Sequence, residues 1–439
     1  MLFTCDNLGV NGAGHLTFAG QDAAVLAAQY GTPLYLMDED RIRRNCRVYR
    51  EALRAQFGEN ALPLYASKAN SFAQIYRIMA DEGMGVDVVS CGEIRTAEHA
   101  GFDLAHAFFH GNSKSDADLA YAMARGVGYF VVDNADELSA VEAEAARRGT
   151  VQKILLRVTP GIDPHTYEAV STGKVDSKFG SAIATGQAEE MTRLALAQPH
   201  VGLMGFHCHV GSQVFAEDVF ERAVAVMLRF IADVRDKLGY TAQMLDLGGG
   251  FGVRYVDSDP VLDIAAKIGE VARVFHATCA ALSLPEPAFL LEPGRSIVAD
   301  AGLTLYTAQS VKRIPGYKSY VAVDGGMTDN PRYALYKSRY TVFPADKMDE
   351  PRSFRCDLVG CCCESGDILQ PDVTLPDTVR RGDLIAVCTT GAYNYAMASN
   401  YNRVPRPPVV LLRGGKNRVA VRRETPDDLI RYDVSGTAG

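Results

Sequence analysis

The feature of this sequence that most constrains its fold is a series of short apolar runs separated by longer amphipathic segments. Such alternation is typical of βα units, whose parallel strands are buried on both faces and whose crossovers are helices. The helical segments include residues 135–148, 216–237 and 261–282. Eight runs of strand length occur, at residues 62–66, 85–89, 108–110, 129–132, 153–158, 203–209, 244–246 and 289–292. Eight units over about 230 residues predict an α/β fold, a (β/α)8 TIM-type barrel.

The two flanks of this region have a different pattern. Residues 34–36 form a short apolar run ahead of a helical segment at residues 38–56. Short strands and turns follow the barrel region, at residues 306–313, 319–323, 384–389, 409–412 and 418–423. We therefore predict a barrel at residues 37–288. Residues 1–36 plus 289–439 are predicted to form a second, C-terminal β-sandwich or β-barrel domain that includes the N-terminal strand and completes the active site.

Composition and charge disfavour several classes of protein. The formal net charge of −8 disfavours nucleic acid as a partner, since phosphate binding normally requires a basic patch. No apolar run approaches the roughly 18 residues of a membrane span, and the N-terminus has no signal-peptide pattern. The ten cysteines have no repeated spacing, and the consecutive Cys361, Cys362 and Cys363 fit neither a disulfide framework nor a common zinc pattern. These features predict a cytoplasmic protein with reduced thiols.

Polar and glycine-rich residues follow the predicted strands, at the barrel rim that carries the chemistry in folds of this type. Strand by strand they are Lys68, Asp87, His110, Asp133, Arg157, His209 with Ser212, Asp246 with the three glycines 248–250, and Glu292 with Gly294 and Arg295. Because the carboxyl ends of parallel strands meet at one rim, we expect these residues to converge.

Lys68 directly follows the first predicted strand, which should be buried. A lysine is rarely buried without a function, and a lysine at the mouth of a barrel can form a Schiff base with a carbonyl compound. The alternative is a side chain whose stem covers apolar surface while its ammonium group stays in water. Taken alone, the position of Lys68 leaves both interpretations open.

The loops after the seventh and eighth predicted strands lie where barrels commonly bind phosphate. Residues 248–250 are consecutive glycines, which let backbone N–H groups approach an anion, although such a run can also form a simple turn. Arg295 follows Gly294 and can bind phosphate through two N–H groups. Together with Lys68 and the acid Glu292, which can keep a pyridine nitrogen protonated, these loops predict pyridoxal phosphate as the cofactor.

His207 and His209 lie two residues apart at the end of the sixth predicted strand. We expect their side chains to point to opposite faces of the strand, so that only one looks into the barrel. This arrangement disfavours a metal site made from His207, His209, Asp246 and Glu292, and we predict no metal. We expect His209 to stack on a flat ring, and a packed core histidine is the alternative for either residue.

Many ordered motifs match one known family. They lie at residues 65–70, 86–93, 157–160, 165–166, 172–174, 176–180, 207–213, 247–252, 292–295, 324–327, 332 with 334–336, 363–367, 391–393, and 397 with 400–402. With them, residues 33–410 resemble the alanine-racemase-fold (group IV) pyridoxal-phosphate-dependent decarboxylases. The motifs at 172–180 and 363–367 favour the diaminopimelate branch over the ornithine and arginine branches. Tyr333 departs from the family pattern, which often has proline there.

The resemblance implies a role for each predicted site residue. Lys68 would hold the cofactor as a Schiff base, His209 would stack on its ring, and Cys363 would return a proton to the substrate carbon. The implied cofactor-binding set is Lys68, Asp87, Arg157, His209, Ser212, Gly249, Gly250, Glu292, Gly294, Arg295 and Tyr393. The implied substrate-binding set is Arg295, Arg332, Tyr336, Glu364 and Tyr393.

The function implied by the resemblance is decarboxylation of meso-2,6-diaminopimelate to L-lysine and CO2, the last step of lysine biosynthesis. It also implies a homodimer with shared active sites, in which Cys363 and Glu364 reach the partner's cofactor. Arginines suit the distal carboxylate of this substrate, and Glu364 suits its distal ammonium group. The alternatives are a decarboxylase of the same fold acting on D-ornithine, D-lysine or a carboxynorspermidine, a metal-dependent hydrolase, and a non-catalytic relative. The last should lack Lys68 or Cys363.

Overall fold

The computed structural model describes residues 3, 5–162, 177–216, 218–434 and 436. The motif residues 165–166, 172–174 and 176 lie outside the described residues. The strands are β1 (Leu8–Val10), β2 (Leu16–Phe18), β3 (Gln21–Asp22), β4 (Leu34–Asp38), β5 (Leu62–Ala66), β6 (Gly85–Val88), β7 (Ala107–Phe109), β8 (Tyr129–Val132), β9 (Gln152–Thr159), β10 (Ser181–Ala182), β11 (Val201–His207), β12 (Met244–Asp246), β13 (Ala288–Leu291), β14 (Gly302–Arg313), β15 (Ser319–Val323), β16 (Val342–Pro344), β17 (Arg352–Val359), β18 (Ile368–Pro376), β19 (Leu384–Cys388), β20 (Val409–Arg413) and β21 (Lys416–Val421).

The helices are α1 (Ala23–Tyr30), α2 (Glu39–Phe57), α3 (Ala73–Asp81), α4 (Cys91–His99), α5 (Asp116–Ala124), α6 (Ala135–Arg148), α7 (Gln187–Leu196), α8 (Val219–Leu238), α9 (Ile264–Ala281), α10 (Arg295–Val298), α11 (Arg332–Tyr336) and α12 (Pro426–Ile430). Among the described residues, none of these helices is both long and apolar enough to cross a membrane.

Residues 43–253 and 261–297 form one compact unit, which is built around a closed parallel barrel. Its strands pair in the order β9, β11, β12, β13, β5, β6, β7 and β8, and β8 pairs with β9 to close the ring. A short additional strand, β10, pairs with β9. One buried cluster in the barrel contains Leu64, Phe108, Val131, Leu155 and Leu290, which come from five different strands. The predicted (β/α)8 barrel is confirmed.

Helix α6 shows why the first and last residues of some helices in this unit can be predicted from sequence. At its N-terminus, the Asn134 side chain accepts a hydrogen bond from the backbone N–H of Glu137, an N-cap that satisfies a free donor of the first turn. At its C-terminus, Gly149 has a left-handed backbone with φ of 65°, a conformation that glycine adopts readily. The bounds of α6 therefore agree with the predicted helix at 135–148.

Residues 1–42, 254–260 and 298–439 form the second compact unit, which contains a mixed β-sheet. Its main strand order is β18, β17, β15, β14, β4, β20 and β21, while β19 pairs with both β14 and β16. The N-terminal strand β4 lies between β14, which is antiparallel to it, and β20, which is parallel. Buried side chains such as Leu16, Leu36, Leu305 and Leu412 form its core. The predicted inclusion of the N-terminal strand in the β domain is confirmed.

The compact units divide the chain at different residues from those predicted. The predicted barrel, 37–288, ends at the first residue of β13, yet β13 pairs with both β12 and β5 and is the eighth barrel strand. The units instead divide at residues 42/43 and 297/298. Residues 254–260 belong to the β-sheet unit although the segments on both sides belong to the barrel. The local sequence does not predict that residues 254–260 leave the barrel unit.

Candidate active site

Lys68 lies in the single helical turn that follows β5, at the C-terminal rim of the barrel. Its Nζ is 3.5 Å from Oδ2 of Asp87, a carboxylate with no exposed surface. The preceding strand is buried as expected, but 47% of the Lys68 side chain is exposed because it extends beyond the strand end. An amine that is accessible and lies beside a buried carboxylate is available to a carbonyl ligand at this rim.

Glu292, which follows β13, is a buried carboxylate held between two histidines. Its Oε1 lies 2.7 Å from Nε2 of His110, and its Oε2 lies 3.1 Å from Nε2 of His207. Burial would raise the pKa of Glu292, but the two histidines hold it well below its usual range. Glu292 is therefore ionised at neutral pH and can accept a hydrogen bond from a protonated ring nitrogen.

The expectation that His207 and His209 point to opposite faces is wrong. Residues two apart on a strand share a face, and β11 in fact ends at His207. His207 contacts Glu292, while burial and the nearby Lys68 and Arg157 lower the pKa of His209 well below its usual value. The His209 ring is thus neutral, and its Nδ1 accepts a hydrogen bond of 3.2 Å from the backbone N–H of Gly249.

The structure changes the argument about a metal site. One ligand atom from each of His110, His207 and Glu292 lies within 4.8 Å of the others, a spacing that could hold a metal ion. The predicted alternative contained His209 and Asp246 but omitted His110. Strand geometry therefore gives no reason to prefer a pyridoxal enzyme over a metal-dependent hydrolase. That choice depends on the other residues of the rim and on the family to which the chain belongs.

Three loops at the rim are suited to bind a phosphate group. Nη2 of Arg295 donates a hydrogen bond of 3.0 Å to Oγ of Ser212, so the loops after β11 and β13 meet there. A Cβ atom on Gly249 would collide with the carbonyl oxygen of Glu292, and one on Gly250 would collide with that of Gly211. Only glycine permits this close approach of backbones. That these loops bind phosphate stays a prediction, which the crowded glycines and Arg295 support.

The sequence does not predict that His110, His207 and Asp246 are neighbours of Glu292, although all three lie at predicted strand ends. Burial and the adjacent Glu292 raise the pKa of Asp246 well above its usual value, so this carboxyl group is neutral. Arg157 adds positive charge to the rim. Burial lowers its pKa, while Asp133, Glu292 and Asp87 oppose that change. The signal in the sequence that points to His110, His207 and Asp246 is their position at the ends of predicted strands.

Four of the five predicted substrate residues lie in the β-sheet unit, where three of them form one cluster, and Arg295 belongs to the barrel unit. The Arg332 guanidinium lies over the rings of Tyr336 and Tyr393, 4.4 and 5.1 Å from their centroids. Arg332 is largely buried, and Tyr393 has a left-handed backbone with φ of 63°. Aromatic faces orient a guanidinium group without neutralising it, so the cluster can bind a carboxylate.

Cys363 and Glu364 lie on a separate turn of the same unit, and both are exposed. The backbone N–H of Cys363 donates to Oδ1 of Asn402 at 2.9 Å. Asp367 fixes the turn from below, since its two carboxylate oxygens accept hydrogen bonds from the backbone N–H groups of Met327 and Cys362, at 2.6 and 2.7 Å. A rigid turn thus presents a thiol and a carboxylate on the surface of this chain.

Replacing Asp367 by alanine is expected to destabilise the protein by about 3 kcal/mol, because two part-buried backbone donors lose their buried acceptor. Urea denaturation of the purified variant measures this change. The matched control is Asp377→Ala, which removes an exposed carboxylate that lies 3.4 Å from the Arg313 guanidinium. Equal stabilities for the two variants would show that Asp367 does not anchor the turn.

Over residues 39–299 the sequence matches the family described as pyridoxal-dependent decarboxylase, pyridoxal binding domain. The chain belongs to this family. The match includes Lys68, the glycine loop and Glu292, and it decides against the metal-dependent hydrolase. Pyridoxal phosphate is therefore the cofactor of this decarboxylase, and the enzyme is a carboxy-lyase.

The decarboxylase is similar to curated relatives along nearly its whole length. It is 41% identical over 429 residues to diaminopimelate decarboxylase of Bacillus subtilis (strain 168), an alignment that covers 98% of this chain and 97% of the relative. It is 45% identical over 422 residues to diaminopimelate decarboxylase of Actinosynnema pretiosum subsp. auranticum, with 96% and 93% covered. The structure of diaminopimelate decarboxylase from M. jannaschii in complex with L-lysine aligns with a TM-score of 0.90 at 30% identity, covering 99% of each chain.

The residues of the barrel rim fit the cofactor of this family. Glu292 is a buried carboxylate kept ionised, as the ring nitrogen requires, and Lys68 is an accessible amine. Arg295, Ser212 and the crowded glycines supply the cationic and backbone groups that a phosphate requires. The chemistry of the donor set therefore matches an aldehyde, a basic ring nitrogen and a phosphate on one molecule.

Proposed function

We propose that this decarboxylase acts on meso-2,6-diaminopimelate and releases CO2 and L-lysine. The observation that carries the proposal is identity of 40–45% over nearly the full length with several diaminopimelate decarboxylases. The Arg332 cluster and the Cys363–Glu364 turn supply groups that complement a substrate with two amino-acid ends. Decarboxylation of one end leaves the other end as the amino-acid part of lysine.

The barrel rim holds the cofactor in this proposal. Lys68 would bond to its aldehyde carbon, Glu292 would accept a hydrogen bond from its protonated ring nitrogen, and the neutral ring of His209 would stack on the cofactor ring. Ser212, Gly249, Gly250, Gly294 and Arg295 would bind the phosphate, while Asp87, Arg157 and Tyr393 would complete the cofactor-binding set. Bound pyridoxal phosphate supplies an electron sink for the pair released when the carboxylate leaves. The ionised Glu292 supports this by keeping the positive charge on the ring nitrogen.

Cys363 is the proposed proton donor. Loss of CO2 breaks a carbon–carbon bond, and a new carbon–hydrogen bond must form at the same carbon. The Cys363 thiol gives its proton to that carbon, and the resulting thiolate is reprotonated from solvent. The exposed position of Cys363 supports rapid exchange with water, and the hydrogen bonds of its turn keep the thiol in one place.

The distal end of the substrate requires groups for a carboxylate and an ammonium. Arg332, with Arg295, Tyr336 and Tyr393, is proposed to bind the carboxylate, and Glu364 the ammonium. Glu364 already accepts a hydrogen bond of 3.1 Å from the backbone N–H of Gly366, so its carboxylate is oriented before substrate arrives. An amino acid without a distal carboxylate would leave the buried Arg332 without its anionic partner, which disfavours such substrates.

The enzyme is proposed to be a homodimer in the cytoplasm. Cys363 and Glu364 are exposed on this chain, which supports a role for them at the cofactor of a second copy. All ten cysteines are unpaired in the part of the chain that the structure describes, and this supports a compartment with reduced thiols.

Mixed dimers of Lys68→Ala and Cys363→Ala subunits test the shared site. If each site takes Lys68 from one subunit and Cys363 from the other, a mixed dimer has one complete site. Random assortment then restores about one quarter of the wild-type sites, because about half of the dimers are mixed. Activity of the co-expressed variants, compared with each variant alone, measures this. Without shared sites, no mixed dimer has a complete site and activity stays at the level of the separate variants.

The substrate assignment is tested by supplying the purified enzyme, loaded with pyridoxal phosphate, with meso-diaminopimelate and measuring CO2 and lysine. Separate reactions contain the two enantiomers of lysine, ornithine and arginine, and a carboxynorspermidine. Lysine formation from diaminopimelate, with no amine from the other compounds, supports the proposal. CO2 from ornithine or carboxynorspermidine alone would overturn the substrate while leaving the family unchanged.

A further inference from the structure

Lys114 and Glu137 form a buried ion pair close to the rim of the barrel. Only 2% of the Lys114 side chain and 3% of the Glu137 side chain are exposed, and Lys114 Nζ lies 2.6 Å from Glu137 Oε1. The other two Nζ donors bind the carbonyl oxygens of Gly111 and Val131, at 2.7 and 2.9 Å. All three donors of the ammonium group are thus used, which compensates the removal of its charge from water.

The partners of this pair belong to different segments of the barrel. Gly111 lies in the loop after β7, Val131 lies in β8, and Glu137 lies in the first turn of α6. The second oxygen of Glu137, Oε2, accepts a hydrogen bond of 3.0 Å from the backbone N–H of Asp133, just after β8. The pair therefore ties the carboxyl ends of two neighbouring strands to one another.

One of these strand ends carries His110, which directly precedes Gly111. Nε2 of His110 is 2.7 Å from Glu292 Oε1, the carboxylate proposed to receive the ring nitrogen of the cofactor. A buried ion pair adds little net stability compared with well-packed apolar side chains of the same volume. The main effect of this pair is therefore geometric: it fixes the strand end that carries His110.

We propose that Lys114 and Glu137 are positioning residues that hold His110 against Glu292 and thereby set the affinity of the barrel for pyridoxal phosphate. The inference rests on the proposed role of Glu292 toward the ring nitrogen. Lys114 and Glu137 act through His110 and are assigned no contact with the cofactor. Their removal should weaken cofactor binding without unfolding the barrel, provided that neither charge is left buried alone.

The test is the double variant Lys114→Met/Glu137→Met, which removes both charges and keeps similar volumes. The dissociation constant of pyridoxal phosphate for the protein stripped of cofactor is measured by absorbance titration. We expect it to rise roughly tenfold to hundredfold, because the close contact between His110 and the buried Glu292 carboxylate is loosened. In wild-type protein, the imidazole N–H proton of His110 should give a downfield NMR signal, and in the variant this signal should shift or broaden.

A matched control uses a second partly buried ion pair of the barrel unit. Lys267, in α9, lies 3.2 Å from Glu221, in α8, and both side chains are mostly buried. The control Lys267→Met/Glu221→Met should leave cofactor affinity unchanged. An equal loss of affinity in both double variants would reduce the effect to general destabilisation and overturn the proposal.

A third comparison shows whether the effect passes through His110. His110→Ala alone should weaken cofactor binding, and adding the Lys114 and Glu137 changes to it should weaken binding no further. Full additivity would overturn the proposed route. If the double variant does not fold, Lys114→Met/Glu137→Gln replaces it in the same comparison, since it removes both charges and keeps an amide oxygen as acceptor for the Asp133 N–H group. These titrations require no substrate, so failure of the diaminopimelate assay would leave their result interpretable.

Discussion

Replacing Lys68 by alanine is expected to remove the visible absorbance of the cofactor-loaded enzyme and to lower kcat by at least about 10^3-fold. The absorbance depends on the bond between the lysine amine and the cofactor, and no other lysine is predicted to replace it. Spectra and turnover of the purified variant with added pyridoxal phosphate measure both effects. Because 47% of the Lys68 side chain is exposed, its removal leaves a small cavity and should barely change stability.

The control for this variant is Lys416→Ala, which changes an exposed lysine in the hairpin of β20 and β21. It should retain wild-type absorbance and turnover. A Lys68→Ala protein that kept the visible band would assign the cofactor to another amine. It would also remove the reason for placing the active site at the end of β5.

Replacing Cys363 by alanine is expected to reduce kcat by about 10^2- to 10^4-fold while the cofactor remains bound, because a proton donor is lost but no cofactor contact. The thiol is exposed, so unfolding should be unchanged within about 0.5 kcal/mol. Steady-state turnover and the cofactor absorbance of the variant separate the two properties.

The two neighbouring thiols give an internal control for this experiment. Cys361→Ala and Cys362→Ala should keep most of their turnover, since neither residue is assigned a role at the cofactor or the substrate. Burial and the nearby Asp367 raise the pKa of Cys362 to about 12, so its proton is a poor candidate for transfer. Normal turnover in Cys363→Ala together with a loss in Cys362→Ala would move the proton donor by one residue.

The parts of the fold that could be predicted are those whose signals are local. Strands β5, β8 and β12 have the predicted bounds, and each consists mostly of apolar residues. Strands β17 and β18 were not predicted because they alternate buried residues such as Phe354 and Leu375 with polar ones, and lack a continuous apolar run. Local pattern thus identified strands buried on both faces better than those exposed on one.

The candidate site divides in the same way. Lys68, the glycine loop and Glu292 were found because their residue types are unusual at strand ends. The contacts of His110 and His207 with Glu292 depend on the closure of the barrel and could not be derived from spacing along the chain. The prediction that His207 and His209 point to opposite faces is wrong because residues two positions apart on a strand share one face. The contacts of Lys114 likewise involve segments that only the closed barrel brings together.

The position of β4 in its sheet has a consequence for the synthesis of the chain on the ribosome. Both neighbours of β4 are much later in the sequence, since β14 begins at Gly302 and β20 begins at Val409. The barrel strands β5 to β13 all emerge before either neighbour exists, so the barrel can close while β4 still has two unpaired edges. Unpaired strand edges are prone to pair with other chains. The nascent chain is therefore most vulnerable to aggregation in the interval between closure of the barrel and synthesis of β20.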